Sequence, residues 1–342
     1  MAGKWITELS ASTPLADAAR RVLTVRLAVV HEYLPLAMRE ADKDPEHVHQ
    51  LRVSTRRAAA ALEIFTKCLP DKDYKRARTT LKRIRRAAGE ARDWDVFLMG
   101  LPAGAGSSAR LQAGKDLVVG YAVARRTAAQ DVLADASPNY PFDFERFQAD
   151  TVAALHKPHG HSEPHTLTDL AQPMLSGLLQ ELHQAASGDL TNYEHLHQVR
   201  IIGKRLRYAM EVFVECFAPE FREKLYPQVE QMQEILGQAN DSHVAGQRLQ
   251  ELLERLRISR PGDWRRFKPG IDALRRQHEQ RVARQGHAFS EWWKNWQETG
   301  GEAAFAALIH KKEENRRGPV APEIAVPPSA EENALSHSQG SD

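Results

Sequence analysis

Two stretches set histidine, arginine and lysine at helical spacing. "EHVHQLRVSTRRAAAALEIF", residues 46–65, carries His49, Arg52, Arg56 and Arg57, and "EHLHQVRIIGKRLRYAMEVF", residues 194–213, carries His197, Arg200, Lys204, Arg205 and Arg207. On a helical wheel Arg52 and Arg56 fall within about 60° of His49 and Arg57 about 80° to its other side, while Leu51, Ala58, Leu62 and Phe65 gather opposite. The second stretch repeats the arrangement, with Val199, Leu206, Met210 and Phe213 on the far side. A third basic stripe, "KRARTTLKRIRR" at 75–86, places Lys75, Arg78, Lys82, Arg85 and Arg86 within about 100° of arc, opposite Ala77, Leu81, Ile84 and Ala88. No acidic residue interrupts it.

Like charges at i, i+3 and i+4 destabilise a helix by a few tenths of a kcal/mol per pair, about 0.2–0.5, unless an anion lies between them. Arginine offers a planar fork for phosphate oxygens and stays charged at physiological pH. Histidine adds a donor whose protonation an adjacent polyanion favours. A ligand resembling polyphosphate fits this chemistry. Glu63, Glu211, Asp93 and Asp241 lie on or beside the same faces and read as orienting partners for arginine rather than acid catalysts. Arginine neighbours make His49 and His197 poor metal ligands. His156, His159, His161 and His165 are interspersed with Pro158 and Pro164 and have no nearby cysteine, which reads as a loop rather than a zinc site. No P-loop, nucleophile elbow or dinucleotide fingerprint occurs, so no catalytic residue, metal or cofactor is assigned. "EWWKNW", with Trp292, Trp293 and Trp296, reads as the closed end of a bundle, which leaves Tyr208 as the one aromatic on a basic face that could stack on a base.

These side chains sit on helices. Apolar residues recur at three and four positions almost throughout, and alternating β-branched runs are absent. Helices are predicted over 14–40, 45–67, 71–99, 107–136, 142–156, 166–187, 192–216, 220–257 with a break, and 262–297. Asp44 before Pro45 is the expected start of the first basic helix, and Thr191 with Glu194 a capping box for the second. Subtraction exposes a duplication. His49 and His197, Arg52 and Arg200, Arg57 and Arg205, Glu63 and Glu211, Phe65 and Phe213, and Cys68 and Cys216 all differ by 148. The offset returns at Gly89 and Gly237, Asp93 and Asp241, and Val96 and Val244. The expected fold is therefore all-α: two four-helix bundles related by a pseudo-twofold axis and sharing a basic cavity, with one half over 14–155 and the other over 165–300. The domain is set at 14–311. "LPAGAGSSA" at 101–109 reads as a linker, and residues 312–342, rich in Pro, Ser and Glu, as a disordered tail.

Of the 342 residues 42% are hydrophobic, ample for a core, while 47 basic and 45 acidic side chains leave a formal charge of only +2. Placement of charge therefore carries the argument, not its sum. Two cysteines ending apolar runs read as buried thiols, and no apolar run is long enough for a membrane span, so a cytoplasmic protein is expected.

The chain resembles the CHAD family, the conserved histidine α-helical domains. The first motif is similar to the family's H-x-x-R-V-x-x-R-R at His49, Arg52, Val53, Arg56 and Arg57, and the second to H-x-x-R-x-x-x-K-R-L-R-Y-x-x-E from His197 to Glu211. "GEARDWDV" at 89–96 resembles the family's Gly-x-x-Arg-Asp segment, with "GQANDSHV" as its partner. The resemblance implies two pseudo-symmetric helical bundles around a basic cavity, binding of long-chain inorganic polyphosphate without catalysis, and targeting to polyphosphate granules. The first motif departs at Ala59, where a further basic residue is common; the second has Arg207 there, and the Lys75–Arg86 stripe is the expected compensation. No E-x-E-x-K triphosphatase motif is present. The alternatives are a nucleic-acid-binding helical module and, third, a phosphohydrolase acting on polyphosphate.

Overall fold

The computed structural model describes residues 4–101, 108–135, 143–157 and 164–310. The expected disorder of 312–342, most of the 101–109 linker, and His159 and His161 fall outside these residues. The described chain is helical with no strand among its described residues. In order come α1 (Leu15–Arg39), α2 (Glu46–Ile64), α3 (Asp71–Gly100), α4 (Ala109–Asp135), α5 (Phe144–Ala153), α6 (Leu167–Ala186), α7 (Tyr193–Phe213), α8 (Tyr226–Ser259), α9 (Pro261–Glu298) and α10 (Gly301–His310). The break foreseen before residue 257 is a π-helical turn, Phe221–Leu225, that enters α8 at Pro227. Asp44 accepts from the backbone of Glu46 at 2.8 Å, but the cap position itself is Pro45, one residue later than expected, and α2 begins at Glu46. The cap of α7 is Asn192, which accepts from the Glu194 N–H at 2.8 Å; Thr191 instead donates to Asp189. A capping box does occur, one helix earlier, between Thr166 and Asp169.

The element order repeats. Adding 148 to the bounds of α1 and α2 brings them close to those of α6 and α7, and the short 3-10 turn Thr66–Cys68 lands on its counterpart Val214–Cys216. Burial follows the same register: Leu167, Ala171, Leu175 and Leu178, buried on α6, correspond to Ala19, Leu23, Leu27 and Val30, buried on α1. Among the described residues each half holds five helices in sequence, one more than a four-helix bundle. The fifth is α5 in the first half, expected over 142–156, and in the second the unforeseen α10, whose start follows Gly300 at φ 69°, a left-handed conformation suited to glycine. Its Phe305 and Ile309 are buried, and the Ile309 carbonyl accepts from the Gln172 amide at 2.8 Å.

Counterparts also meet in space, since α2 packs on α7, α3 on α8 and α4 on α9. The α4–α9 crossing is close because both sides are glycine: a Cβ on Gly114 would lie 2.2 Å from the Phe267 carbonyl oxygen and 2.8 Å from Gly270 Cα. One continuous apolar core runs through both halves, with Phe65 and Phe213 at equivalent buried positions and Cys68 and Cys216 beside them. Trp293 and Trp296 are buried against Phe289 and Trp292, closing the end of the second half as the sequence suggested. No helix of the described residues is long and apolar enough to cross a membrane.

Candidate functional site

Where α2 crosses α7, the two copies of the basic motif face one another. Two cavities open there, of about 820 and 380 Å³, and share Arg52, Arg56 and Arg200 as their common wall. The smaller is built from paired positions of the repeat: Arg52 and Arg200, Arg92 and Asn240, Asp93 and Asp241, Val96 and Val244, Phe97 and Ala245. His49, Val53, Arg56 and Arg248 complete it. The larger gathers Arg52, Arg56, Arg85, His197, Arg200 and Lys204, with Arg205 at its rim. The rest of it is an aliphatic trough between α2, α6 and α7.

The cations here are incompletely neutralised. Arg52 donates to the Asp93 carboxylate and to the Gly89 carbonyl at 2.6 Å, and Arg248 to the Asp93 carbonyl at 2.9 Å while lying 4.0 Å from the Trp94 ring centroid. Arg56, Arg85, Arg200 and Lys204 have no carboxylate hydrogen-bonded to them among the described residues, and the buried Nε of Arg200 has no partner at all. The pKa shifts record the strain. Burial, then Arg56 and Arg200, pushes the Lys204 ammonium down to about 6, with Asp241 opposing. Burial, with Arg52, Arg200 and Arg85 around it, also lowers Arg56. His49 is lowered by burial and then by Arg92, with Arg56 and Arg52 adding and Glu46 opposing. Buried like charges of this kind are expensive without a counter-charge. His197 is oriented from its own helix, its Nδ1 lying 3.4 Å from the Tyr193 hydroxyl.

Not every residue singled out from the motif reaches the cavity. Arg57 points the other way, into a network in which its Nε and Nη2 donate to Glu211 at 2.7 and 3.1 Å, with Arg26 at 3.4 Å on the same carboxylate. The helical wheel misplaced it because α2 is covered by α1 as well as by α7, so a side chain 80° from His49 is already interior. Arg207 joins the network, donating to Glu211 and to the Tyr226 hydroxyl, both at 3.3 Å. The imbalance between Ala59 and Arg207 is therefore one of structural support, not of cavity charge. Arg205 stands at the rim, held by Glu181 at 2.6 Å. Of the α3 stripe only Arg85 lines either of these two cavities; Lys75, Arg78, Lys82 and Arg86 are exposed on α3. Arg92, Arg248 and Arg26 were missed, being single arginines in otherwise mixed sequence. The 148 offset could have signalled Arg92, beside Asp93 in a repeated segment. Tyr208 lines the larger cavity but is only 8% exposed. Among the described residues no three His, Cys, Asp or Glu side chains gather as a metal site.

Glu211, fully buried, is the hub that fixes α7 against α1, α2 and α8. Glu211→Gln removes the buried carboxylate charge that faces Arg26 and Arg57 and is expected to cost roughly 3–5 kcal/mol, read as a lower urea midpoint. An unchanged midpoint would show that the network contributes nothing.

The profile of the CHAD domain matches residues 21–250, about two thirds of the chain. The chain belongs to the CHAD family. Among solved structures, the CHAD domain from the plant Ricinus communis superposes with a TM-score of 0.63 at 25% identity, covering 83% of this chain and 95% of that one. PptA from Streptomyces chartreusis, at 19% identity, shares the fold with a TM-score of 0.59 over 82% of this chain and 100% of its own. No match is found among curated proteins. The matched CHAD region contains both basic helices and the whole of the smaller cavity.

Proposed function

We propose that this CHAD protein is a non-catalytic binder of inorganic polyphosphate, which it grips in the cationic cavity, and that it acts in the cytoplasm at polyphosphate granules. The observation that carries the reading is the meeting of Arg56, Arg85, Arg200 and Lys204 from three helices with no carboxylate among the described residues bonded to any of them. Such a cluster wants a ligand with closely spaced negative charges, and a linear chain of phosphates supplies one charge per residue to successive cations. Family membership supports the same choice. The exposed Lys75, Arg78, Lys82 and Arg86 would continue the track outside the cavity, beyond Arg85.

Nucleic acid is the second reading, and burial of Tyr208 weighs against it, since single-stranded binders stack bases on accessible rings. Competition separates the two. Long polyphosphate is expected to displace the protein from single-stranded RNA, and RNA at equal phosphate concentration is expected not to displace polyphosphate. The opposite order would overturn the proposal. Phosphate release from polyphosphate by the purified protein with magnesium or manganese would overturn its non-catalytic part.

A further inference from the structure

We infer that the aliphatic trough beside the cationic cluster binds the hydrocarbon chain of an amphiphilic phosphate, a phosphate or diphosphate ester of a long aliphatic alcohol, whose headgroup sits on Arg56, Arg200 and Lys204. The inference rests on the reading of these three as phosphate ligands. The trough is walled by Ile64, Leu170, Pro173, Met174, Leu178 and Ile201. It runs on past Ile64, Leu170 and Met174 into a further cavity of about 610 Å³ that reaches Cys68. Ile201 is 40% exposed, an apolar side chain left open beside a row of cations.

Comparison with the first half indicates what the trough suits. There the matching groove of α1 is closed by the chain's own N-terminal segment. Ile6 is buried, Trp5 meets Tyr226 edge-on at 4.8 Å, and the carbonyls of Lys4 and Thr7 accept from Arg26 and Arg21 at 3.2 and 3.4 Å. At offset 148 those two arginines become Met174 and Asp169. A peptide lying along α6 as the N-terminal segment lies along α1 would find no arginine at these two positions for its carbonyls, and buried unpaired backbone groups are costly. A hydrocarbon chain has none to satisfy. A polyphosphate chain is disfavoured in the trough by the same aliphatic wall, and a nucleobase would find Glu63 and the Arg205–Glu181 pair, already bonded to each other, for its polar edge.

The test is a titration with alkyl phosphates of six to twelve carbons, below aggregation, with dodecyl maltoside, orthophosphate and adenosine tetraphosphate as controls. Affinity is expected to rise roughly three- to fourfold per methylene, and dodecyl maltoside to bind at least tenfold more weakly than dodecyl phosphate, roughly the value of one charge-assisted contact. A Cβ on Gly177 meets nothing within 4 Å, so Gly177→Leu can fill the trough without disturbing the helix. It is expected to flatten the series and to leave polyphosphate binding unchanged. A flat series in the unaltered protein overturns the inference and leaves the trough to a protein segment; a steep series that survives in Gly177→Leu overturns it by placing the chain elsewhere. Adenosine tetraphosphate binding that Gly177→Leu weakens as much as it weakens dodecyl phosphate overturns it in favour of a nucleotide. If polyphosphate binds and the series is flat, only the trough assignment falls. If neither phosphate class binds, the reading of the cluster falls with it.

Discussion

Replacing Arg56 and Arg200 together by alanine is expected to weaken binding of long polyphosphate by roughly two to four orders of magnitude, since each loses charge-assisted hydrogen bonds of about 1.5–3 kcal/mol. These two arginines, with Arg52, form the wall shared by both cavities, so a ligand spanning the site passes them. Salt dependence supplies an independent readout. If Arg52, Arg56, Arg85, Arg200 and Lys204 each neutralise a phosphate, log affinity falls against log salt with a slope of about −3.5 by analogy with single strands, and the double variant brings it to about −2. Folding should be spared. Neither side chain bonds to a carboxylate that needs it, and removing clustered like charges relieves repulsion. A variant that binds normally, or one that loses helicity, would show that the cluster had been misread.

Lowering the pH from about 8 to about 6 is expected to tighten polyphosphate binding by up to roughly tenfold per unit through Lys204 alone. The groups around this lysine are Arg56 on α2, Arg200 and Arg207 on α7, and Asp241 on α8, and burial with the three arginines leaves it neutral at pH 7.5, with a pKa of about 6. A bound polyanion favours the ammonium and raises that value, so binding takes up a proton and the affinity decays as pH rises from about 6 to the bound-state pKa. The stability effect has the matching sign. The unfolded chain, with its lysine near 10.5, holds more protons than the native one between about 6 and 10.5. Burial of Lys204 therefore costs most below pH 6, and the cost fades as pH rises towards 10.5. Calorimetry in buffers of different ionisation heat measures the uptake directly. Lys204→Arg should keep the binding and lose Lys204's share of the proton, leaving a smaller slope from His49, which burial and Arg92 also lower. An equal uptake in that variant would move the switch to another group.

Much of this was legible in the sequence because the duplication displays each position twice. His49 with His197 and Arg52 with Arg200 could be recognised as one surface before any fold was known, and the structure brings the two Arg52 and Arg200 positions together in both cavities. A helical wheel, however, knows one axis and no neighbours. It could not tell that the flank carrying Arg57 is covered by α1, or that Arg207 would turn to Glu211 and Tyr226. Glu211 and Glu63 share the offset and have opposite fates, one fully buried as a hub and the other exposed at the trough, because only the first half supplies Arg26 and a folded-back N-terminal segment. The α3 stripe was visible as charge, but only the crossing of the halves decides that Arg85 alone enters the cavity. The helix α10 went unnoticed because it is short and follows a turn at Gly300.

The central claim is that a polymer of phosphate, not phosphate itself, completes the cationic cluster. The most direct measurement is a calorimetric titration with polyphosphates of graded length, with orthophosphate and single-stranded RNA as controls. The account predicts negligible binding of orthophosphate, affinity that climbs with each added phosphate until both cavities are spanned and then levels off, and weaker binding of RNA at equal charge. Affinity independent of chain length, or RNA bound as tightly as polyphosphate, would contradict it.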